Sequence, residues 1–417
     1  MKSSQTNTLF LALIIAALAT LVGLTWANYS YSYQNPGGND FLSRYVATRV
    51  FLLEGESPYS EKATQEIHNQ MYGRAAHADE DQALFVYPFY TVYLMAPFSL
   101  IPDYHMARAI WMTVLEVSLI ALLLISLSLA RWKIPVWTLV ILVFFSVFWY
   151  HGFRPLINGN PSVLVSLIIA LAFLAIRSEN DGLAGFLLAY ATIKPQMVVL
   201  LALYVLVWSI AQRRWRLFWG FVSSLAFLIA TSFLFVPNWL IENLRQIFAY
   251  PGYTLPGTPR EILMDTLPGI GNQVGWAITI VMISAMIVEW RASAHKDFTW
   301  FYWTALLTLV ATNLVGIPTT TENYLALFPA LVLVFYAWDS HWRTMGKWLV
   351  TLSILLLFFG LWWLFLTTLQ PGDQPIQNPI MFFPLPVFLF ITLYWVRWWV
   401  LRPSKPLLER LRRSQKT

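Results

Sequence analysis

Long apolar runs separated by short polar segments fill most of this 417-residue chain. The first run, LFLALIIAALATLVGLTWA over 9–27, is long enough to cross a bilayer and longer than the core of a typical signal peptide. We interpret it as an uncleaved membrane helix, with cleavage after Ala27 as the alternative. About eleven further runs predict membrane spans, at 106–130, 135–151, 161–176, 183–194, 195–211, 217–236, 273–289, 298–316, 322–337, 348–368 and 381–400.

The composition agrees with this pattern. Hydrophobic residues make up 58% of the chain and charged residues 12%, whereas a soluble globular domain carries about 25% charged residues. We therefore expect an all-α polytopic membrane protein with one membrane domain over 1–401 and a basic tail at 402–417. The chain has no cysteine, which excludes disulfides and thiolate metal sites.

The basic residues indicate an orientation, because short loops rich in Lys and Arg stay in the cytoplasm. Five such segments follow predicted spans, at 131–133, 212–216, 289–296, 339–347 and 402–417. All of them share one side if the apolar segment 84–101 does not cross the membrane. We expect that segment to be re-entrant or interfacial, broken by Pro97 and Pro102. Both termini are then cytoplasmic.

The opposite, extracytoplasmic side receives longer loops that hold most of the polar candidates. These loops are 28–83, 151–162, 237–272, 316–324 and 370–379. In the first loop, apolar residues at helical spacing predict an amphipathic helix that lies on the outer membrane surface and ends at Gly55; they are Leu42, Tyr45, Val46, Val50 and Leu53. A second helix is predicted near 60–73.

Asp40 stands at the start of that amphipathic helix and has two interpretations. Asn and Asp commonly cap helices, and Asp40 with Arg44 forms an i,i+4 ion pair. Asn39 could instead provide the cap alone, which would leave Asp40 free to face a cavity. The spacing does not decide between them.

Lys194 and Glu322 are the other charged candidates. Lys194 precedes Pro195 between two apolar runs, so it either snorkels to the interface or meets an anionic ligand where two broken helices join. Glu322 either begins a helix capped by Thr319, Thr320 or Thr321, or lines a polar cavity.

The other charged groups are not interpreted as functional sites. The acidic segment Asp79–Asp81 is interpreted as a solvated loop, and the six histidines show no metal-ligand spacing. We expect no metal and no cofactor. The basic tail is expected to contact anionic membrane lipids rather than nucleic acid.

The order of three segments resembles glycosyltransferase family 87, one of the GT-C membrane glycosyltransferases. These segments are NDFLSRYVATRVFLLEGESPY at 39–59, YPFYTVYLMAPFSLIP at 87–102 and the block from Asn158 to Arg216. Two turns depart from the family pattern. The family's GQxN-like turn reads Gly-Asn-Pro-Ser at 159–162, and a later turn, which often holds histidine in relatives, reads Thr-Glu-Asn-Tyr at 321–324.

The resemblance implies a GT-C-like bundle in the bacterial plasma membrane, similar to mannosyltransferases that use polyprenyl-phosphate mannose. The implied donor is a polyprenyl-phosphate sugar, and the implied acceptor is a lipid or a glycan. Asp40 would be the general base. Cationic groups would hold the donor phosphate, namely Lys194, Arg44, Arg49 and Arg154. The expected substrate cavity is lined by Asn39, Asn160, Tyr87, Glu322, Asn323 and Tyr324.

Two other functions compete with this one. A transporter or flippase of a lipid-linked or anionic solute would place polar residues near the bilayer midplane and show internal symmetry. The polar candidates instead collect on one face, which favours chemistry at the interface. A purely structural protein would tolerate any change at Asp40.

Overall fold

The computed structural model describes residues 2–77, 80–249, 257–369 and 377–402, with the side chains of 2–9 left out. Every regular element in these ranges is a helix, as predicted. In the first half of the chain the α-helices are α1 (Lys2–Gln34), α2 (Asn39–Glu54), α3 (Glu61–Tyr72), α4 (Thr91–Ser99), α5 (Tyr104–Ala130), α6 (Val136–Phe148), α7 (Tyr150–Asn158), α8 (Ser162–Arg177), α9 (Asp181–Ala191) and α10 (Pro195–Ala211).

The second half continues in the same way. Its α-helices are α11 (Trp215–Phe235), α12 (Trp239–Ala249), α13 (Pro259–Thr266), α14 (Gly271–Ser293), α15 (Phe298–Thr312), α16 (Phe328–Leu355), α17 (Leu361–Thr368) and α18 (Pro384–Leu401). Short 3₁₀ helices occupy Thr321–Leu327 and Pro379–Phe382, and a π-helical turn at Leu356–Gly360 joins α16 to α17. The basic tail beyond Arg402 lies outside the described residues.

Six helical segments in the described ranges are long and apolar enough to cross a membrane, or seven if the bent pair α6 and α7 counts as one span. These numbers support a multi-pass membrane protein and do not confirm a count of about twelve. Helices α8, α9, α10 and α15 are apolar but shorter, at 10–17 residues. The apolar runs of the sequence at these positions do form helices, but each helix is shorter than the roughly 20 residues of an ordinary membrane span.

The longest of the six segments, Thr321–Thr368, reverses direction inside α16. Arg343 has φ 45° and ψ −109°, which no helix contains. A Cβ added at Gly346 would collide with the carbonyl oxygen of Trp338, although residues eight apart in a straight helix are separated by about 12 Å. The chain therefore turns back at 339–347, which is where the basic loop was predicted.

Helix α2 begins near the predicted residue and ends at Gly55, as the sequence indicates, but its surroundings differ from the prediction. Every residue from Phe41 to Thr48 is buried by the protein. An apolar stripe on a helix fits a protein core as well as a lipid surface, so the spacing alone could not distinguish the two. The burial of Phe41–Thr48 shows that α2 has no water-facing polar side over these residues, and its location at the outer membrane surface remains a prediction.

The segment 84–101 contains α4, which has nine residues and is therefore too short to cross a bilayer. Pro97 lies inside α4 and does not break it, which corrects the prediction at that residue. Since Pro97 is in the last turn, the helix loses little by continuing to Ser99, and it ends before Pro102. The predicted second helix of the loop is α3, capped by Ser60, whose hydroxyl accepts a hydrogen bond from the Ala63 amide.

The described residues fall into two compact units. Unit 1 comprises those of Met1–Ala121, Gly152–Val165 and Ala226–Leu255, and unit 2 comprises those of Leu122–His151, Ser166–Leu225 and Pro256–Thr417. The expectation of a single membrane domain over 1–401 remains a prediction.

In unit 2, α9 and α11 pack closely at a glycine. A Cβ at Gly185 would collide with the backbone nitrogen of Phe221 and lie 2.6 Å from the carbonyl carbon of Gly220. An ion pair between Asp181 and Arg214 joins the same two segments. A small residue is needed here because the two backbones are in direct contact.

We expect Gly185→Ala to lower the free energy of unfolding by about 1–3 kcal/mol, because overpacking forces the two helices apart. Gly182→Ala is the matched control on the same helix, since a Cβ there meets nothing within 4 Å. Denaturation in mixed micelles, followed by tryptophan fluorescence, measures both variants. Equal stability of the two variants would show that the close contact is absent.

Candidate functional site

Asp40 does not cap helix α2. The N-cap residue is Gly38, in the left-handed conformation with φ 76°, and its carbonyl oxygen accepts the first helical hydrogen bonds, from Phe41 and Leu42. Asn39 is already inside the helix, so the expectation that Asn39 provides the cap is wrong. Glycine adopts this conformation without strain, and the carboxylate of Asp40 is thereby available for other contacts.

Both carboxylate oxygens of Asp40 accept hydrogen bonds from side chains. Oδ1 accepts from Nη1 of Arg44 at 3.1 Å, which is the predicted i,i+4 pair. Oδ2 accepts from Nδ2 of Asn160 at 2.9 Å. The side chain of Asp40 remains 25% exposed. The result is a fixed carboxylate that keeps an open side.

The turn at Gly159 and Asn160 is held against α2 by close packing. Gly159 has φ 67°, and a Cβ there would lie 2.5 Å from the Cβ of Phe41. The indole of Trp111, which is fully buried, donates to the carbonyl oxygen of Gly159 at 2.8 Å. The Oδ1 of Asn160 accepts from the Ser162 amide at 2.9 Å, which fixes its side chain with the amide group toward Asp40.

Arg44 lies between Asp40 and an aromatic ring. Its guanidinium carbon is 4.1 Å from the centre of the Tyr87 ring, which gives a cation–π contact. Tyr87 is itself held by its backbone, because its carbonyl oxygen accepts from the Tyr59 hydroxyl at 2.6 Å and from Nδ2 of Asn243 at 3.0 Å. Asp40, Arg44, Asn160 and Tyr87, which we call the Asp40 cluster, all belong to unit 1.

The remaining candidates of unit 1 lie at other positions. Arg49 donates to the carbonyl oxygen of Ser99 at 2.9 Å, and nine residues along a helix place it on the side of α2 opposite Asp40. Arg154 is half-buried on α7, and Asn39 is half-buried beside Asp40. The structure therefore joins Arg44 to Asp40 and directs Arg49 elsewhere.

Lys194 is the N-cap residue of α10 in unit 2, and Pro195 is the first residue of the helix. The predicted break between two apolar helices is confirmed. Lys194 is only 3% exposed, so the interpretation that it snorkels to water does not fit. A buried ammonium group needs charged or polar partners.

The turn at 321–324, also in unit 2, forms the start of the 3₁₀ helix Thr321–Leu327. Asn323 and Tyr324 are buried, and Glu322 is half-buried. The Tyr324 hydroxyl donates to the carbonyl oxygen of Phe382 at 2.9 Å, and Nδ2 of Asn323 donates to Oγ1 of Thr319 at 3.0 Å.

Thr320 holds the N-cap position of this 3₁₀ helix but makes no side-chain cap bond. Thr319 and Thr321 direct their hydroxyl groups to Asn313 and Gln377. The expected threonine cap is therefore wrong, because longer-range polar partners compete for these hydroxyl groups.

Sequence reasoning missed the neighbours of this turn. Nδ1 of His151 lies 2.9 Å from the carbonyl oxygen of Thr321, and the amide oxygen of Gln377 accepts from both Tyr150 and Thr321. These residues are far apart in the chain and share no local pattern, so nothing in the sequence linked them. His151 thus supplies an imidazole beside a turn that lacks one of its own.

A second missed residue is Asp81 in unit 1, which was interpreted as part of a solvated loop; Asp79 of that segment lies outside the described residues. Asp81 is exposed at the surface, and neighbouring protein atoms desolvate its carboxyl group in part. Desolvation raises the pKa of Asp81, and the nearby Asp40 raises it further, while Arg44 lowers it. The Asp40 cluster therefore has a second carboxyl group in its electrostatic surroundings.

The chemistry of the Asp40 cluster follows from these contacts. A carboxylate fixed on two sides and open on a third can accept a proton from a hydroxyl group placed beside it. The described residues contain no group of three or more His, Asp or Glu side chains that could hold a metal ion.

We expect Gly159→Ala to destabilise the protein more than Gly73→Ala does. Both glycines have a positive φ, and a Cβ at Gly73 meets nothing within 4 Å, so Gly73→Ala isolates the backbone strain of about 1–2 kcal/mol. Gly159→Ala adds the collision with Phe41, for a total of about 2–5 kcal/mol. Denaturation in mixed micelles gives the comparison, and equal losses would refute the close packing of the turn on α2.

Comparison with known proteins gives one finding. The model of glycosyltransferase family 87 matches residues 85–320, which include the turn at Asn160 and the Lys194–Pro195 break. No curated protein and no solved structure matches the chain. The match covers more than half of the chain and confirms the resemblance. The chain belongs to glycosyltransferase family 87, and it is a membrane glycosyltransferase.

Proposed function

We propose that this glycosyltransferase moves a sugar, mannose in the simplest case, from a polyprenyl-phosphate donor to a lipid or glycan acceptor, with Asp40 as the general base. The observation that carries the proposal is the carboxylate of Asp40, which caps no helix, is fixed by Arg44 and Asn160, and stays partly exposed. A residue needed only to start a helix would direct its oxygens to backbone amides.

The reaction balances with a single carboxylate. The oxygen of an acceptor hydroxyl attacks the anomeric carbon of the donor, and the bond from that carbon to the phosphate oxygen breaks. The electron pair leaves with the polyprenyl phosphate, and the hydroxyl proton passes to Asp40. The attack on the face opposite the phosphate inverts the anomeric configuration. A phosphate leaving group is stable as an anion, so a second carboxyl group acting as an acid is not needed, in contrast to glycoside hydrolysis.

Cationic groups stabilise the charge that develops on the departing phosphate. We assign this role to Lys194, because its ammonium group is buried and because it occupies the Lys-Pro position of the family. Arg44, Arg49 and Arg154 are the further candidates, and Arg44 is the one that contacts Asp40. Further candidates for substrate contacts are Asn39, Asn160 and Tyr87 in unit 1, and Glu322, Asn323 and Tyr324 in unit 2.

The membrane setting supports a lipid-linked donor. Nucleotide sugars are confined to the cytoplasm, whereas a polyprenyl anchor delivers its sugar within the plane of the membrane. We place the site on the extracytoplasmic face of the bacterial plasma membrane, with both termini in the cytoplasm, because the basic loops mark the opposite side of the chain.

We expect Asp40→Asn to reduce kcat by about 10²–10⁴-fold, because general-base catalysis contributes about that much, while donor affinity changes little. Purified protein in nanodiscs, given a panel of polyprenyl-phosphate sugars and acceptors, measures turnover and binding. Glu54→Gln is the control, since Glu54 is an exposed carboxylate at the other end of α2 that pairs with Lys62.

Full activity of Asp40→Asn would show that this carboxylate is not the base. If the wild type transfers none of the lipid-linked sugars but moves a lipid-linked or anionic solute across liposomes, the protein is a transporter and the proposal fails.

We expect Lys194→Met to weaken donor binding by about 10–100-fold, the effect of one charge-assisted hydrogen bond to an anion. Methionine keeps the length of the buried side chain and removes its charge, and Lys194→Arg is expected to restore part of the binding. Lys62→Met, which changes an exposed lysine, is the control. Equal donor affinity of Lys194→Met and the wild type in a nanodisc binding assay would exclude the phosphate contact.

A further inference from the structure

Helix α12 in unit 1 has three distinct sides. At about 100° per residue, Trp239, Asn243 and Gln246 share one side, and all three are buried. A second side carries only large apolar residues that are exposed, namely Leu240, Ile241, Leu244, Ile247 and Phe248. Arg245 and Ala249 lie on the third side and are exposed as well.

This division matches a helix that lies in a membrane surface, with one side on protein, one in lipid and one in water. An amphipathic helix on the surface of a soluble protein exposes mainly polar residues. Helix α12 instead exposes an apolar side that covers about a third of its circumference. Phe248 is 80% exposed, which is unusual for phenylalanine in contact with water.

The helix that precedes α12 in the chain is a candidate membrane span whose end also exposes apolar residues. Helix α11 is long and apolar enough to span a membrane, and three residues separate its last residue, Phe235, from the start of α12. Leu234 and Phe235 at that end are 81% and 59% exposed. Exposed apolar residues at the end of α11 and on α12 are thus close along the chain, which is consistent with lipid covering both.

The buried side of α12 is tied to the Asp40 cluster by polar groups. Nδ2 of Asn243 donates to the carbonyl oxygen of Tyr87 at 3.0 Å, and Nε2 of Gln246 donates to the carbonyl oxygen of Tyr59 at 3.2 Å. Tyr59 in turn donates its hydroxyl to the same carbonyl of Tyr87 at 2.6 Å. Asn243 is 3% exposed, so its hydrogen bond is sheltered from water.

Tyr87 connects α12 to the carboxylate of Asp40 through Arg44. Its ring lies 4.1 Å from the guanidinium carbon of Arg44, and Arg44 donates to Asp40. Two contacts therefore separate the carboxylate from Tyr87, and one more separates Tyr87 from α12. A displacement of α12 would move the Tyr87 backbone and with it the surface on which Arg44 rests.

We propose that α12 binds the outer leaflet of the bilayer through its apolar side, and that Asn243 on its opposite side is a positioning residue that fixes Tyr87 and Arg44 for Asp40. The lipid contact thus fixes the position of α12, whose Asn243 is hydrogen-bonded to Tyr87 of the Asp40 cluster. The membrane-binding part stands independently of the reaction, and the positioning part rests on the proposed function.

Spin labelling tests the lipid contact directly. The chain has no cysteine, so a nitroxide attached after Phe248→Cys or Arg245→Cys reports from a single position. In nanodiscs we expect the label at 248 to collide mainly with oxygen, which concentrates in lipid, and the label at 245 to collide mainly with a water-soluble nickel chelate. Equal exposure of the two labels to the nickel chelate would overturn the lipid contact. The apolar side of α12 would then be free of lipid, as expected if another protein covers it in cells.

Asn243→Ala tests the positioning role. Hydrogen–deuterium exchange should become faster in the segment 84–90, because the carbonyl of Tyr87 loses a buried donor. Turnover should fall by about 10–100-fold with a much smaller change in KM, since misplacement of a catalytic group acts on the reaction step. Asn243→Gln, which retains an amide donor, should recover part of kcat, and Arg245→Ala on the water side of α12 should match the wild type.

The outcomes separate the two proposals. If the wild type transfers no sugar, the proposed function fails, and the spin labels and the exchange of 84–90 still decide the role of α12. If the wild type is active and Asn243→Ala keeps both full turnover and slow exchange in 84–90, the positioning role is refuted while the glycosyltransferase reaction stands.

Discussion

The close packing of the Gly159 turn on Phe41 is the constraint on which the Asp40 cluster depends. No side chain fits between the turn and helix α2, because even a Cβ at Gly159 would lie 2.5 Å from the Cβ of Phe41. That contact sets the position of the next residue, Asn160, so that its amide reaches the carboxylate of Asp40. The indole of Trp111, which stacks on the Phe41 ring, donates a hydrogen bond to the carbonyl oxygen of the same glycine. A hydrogen bond across 120 residues of sequence is thus the product of steric fit rather than of electrostatic attraction alone.

The second support of the cluster comes from aromatic and amide contacts. The planar guanidinium group of Arg44 donates hydrogen bonds at its edge, and its face packs on the Tyr87 ring in a cation–π contact. Tyr87 has little freedom because two donors share its carbonyl oxygen. A carbonyl oxygen has two lone pairs, so the hydroxyl of Tyr59 and the amide of Asn243 together saturate it. The orientation of one arginine is in this way determined by residues from three separate segments of the chain.

Local patterns predicted the parts of this arrangement that depend on neighbouring residues. The i,i+4 pair of Asp40 and Arg44, the end of α2 at Gly55, and the break at Lys194 and Pro195 all follow from helix geometry and backbone preferences. Patterns failed where distant groups compete for the same atoms. The Thr321 hydroxyl donates to Gln377 instead of capping a helix. Gln377 is distant in sequence, so the local pattern could not predict this partner.

Helix α2 shows why burial was harder to predict than helicity. Its apolar stripe would serve against lipid or against protein, since both environments exclude water from the same side chains. The decisive difference lies in the polar residues of the helix. Thr48 and Arg44 are buried together with the stripe, which a membrane-surface helix would turn toward water. Helix α12 is the reverse case, because the water-facing position of Arg245 is exposed and only its amide-bearing side is buried. The fate of polar residues, rather than the apolar spacing, distinguishes a helix buried in protein from one that rests on lipid.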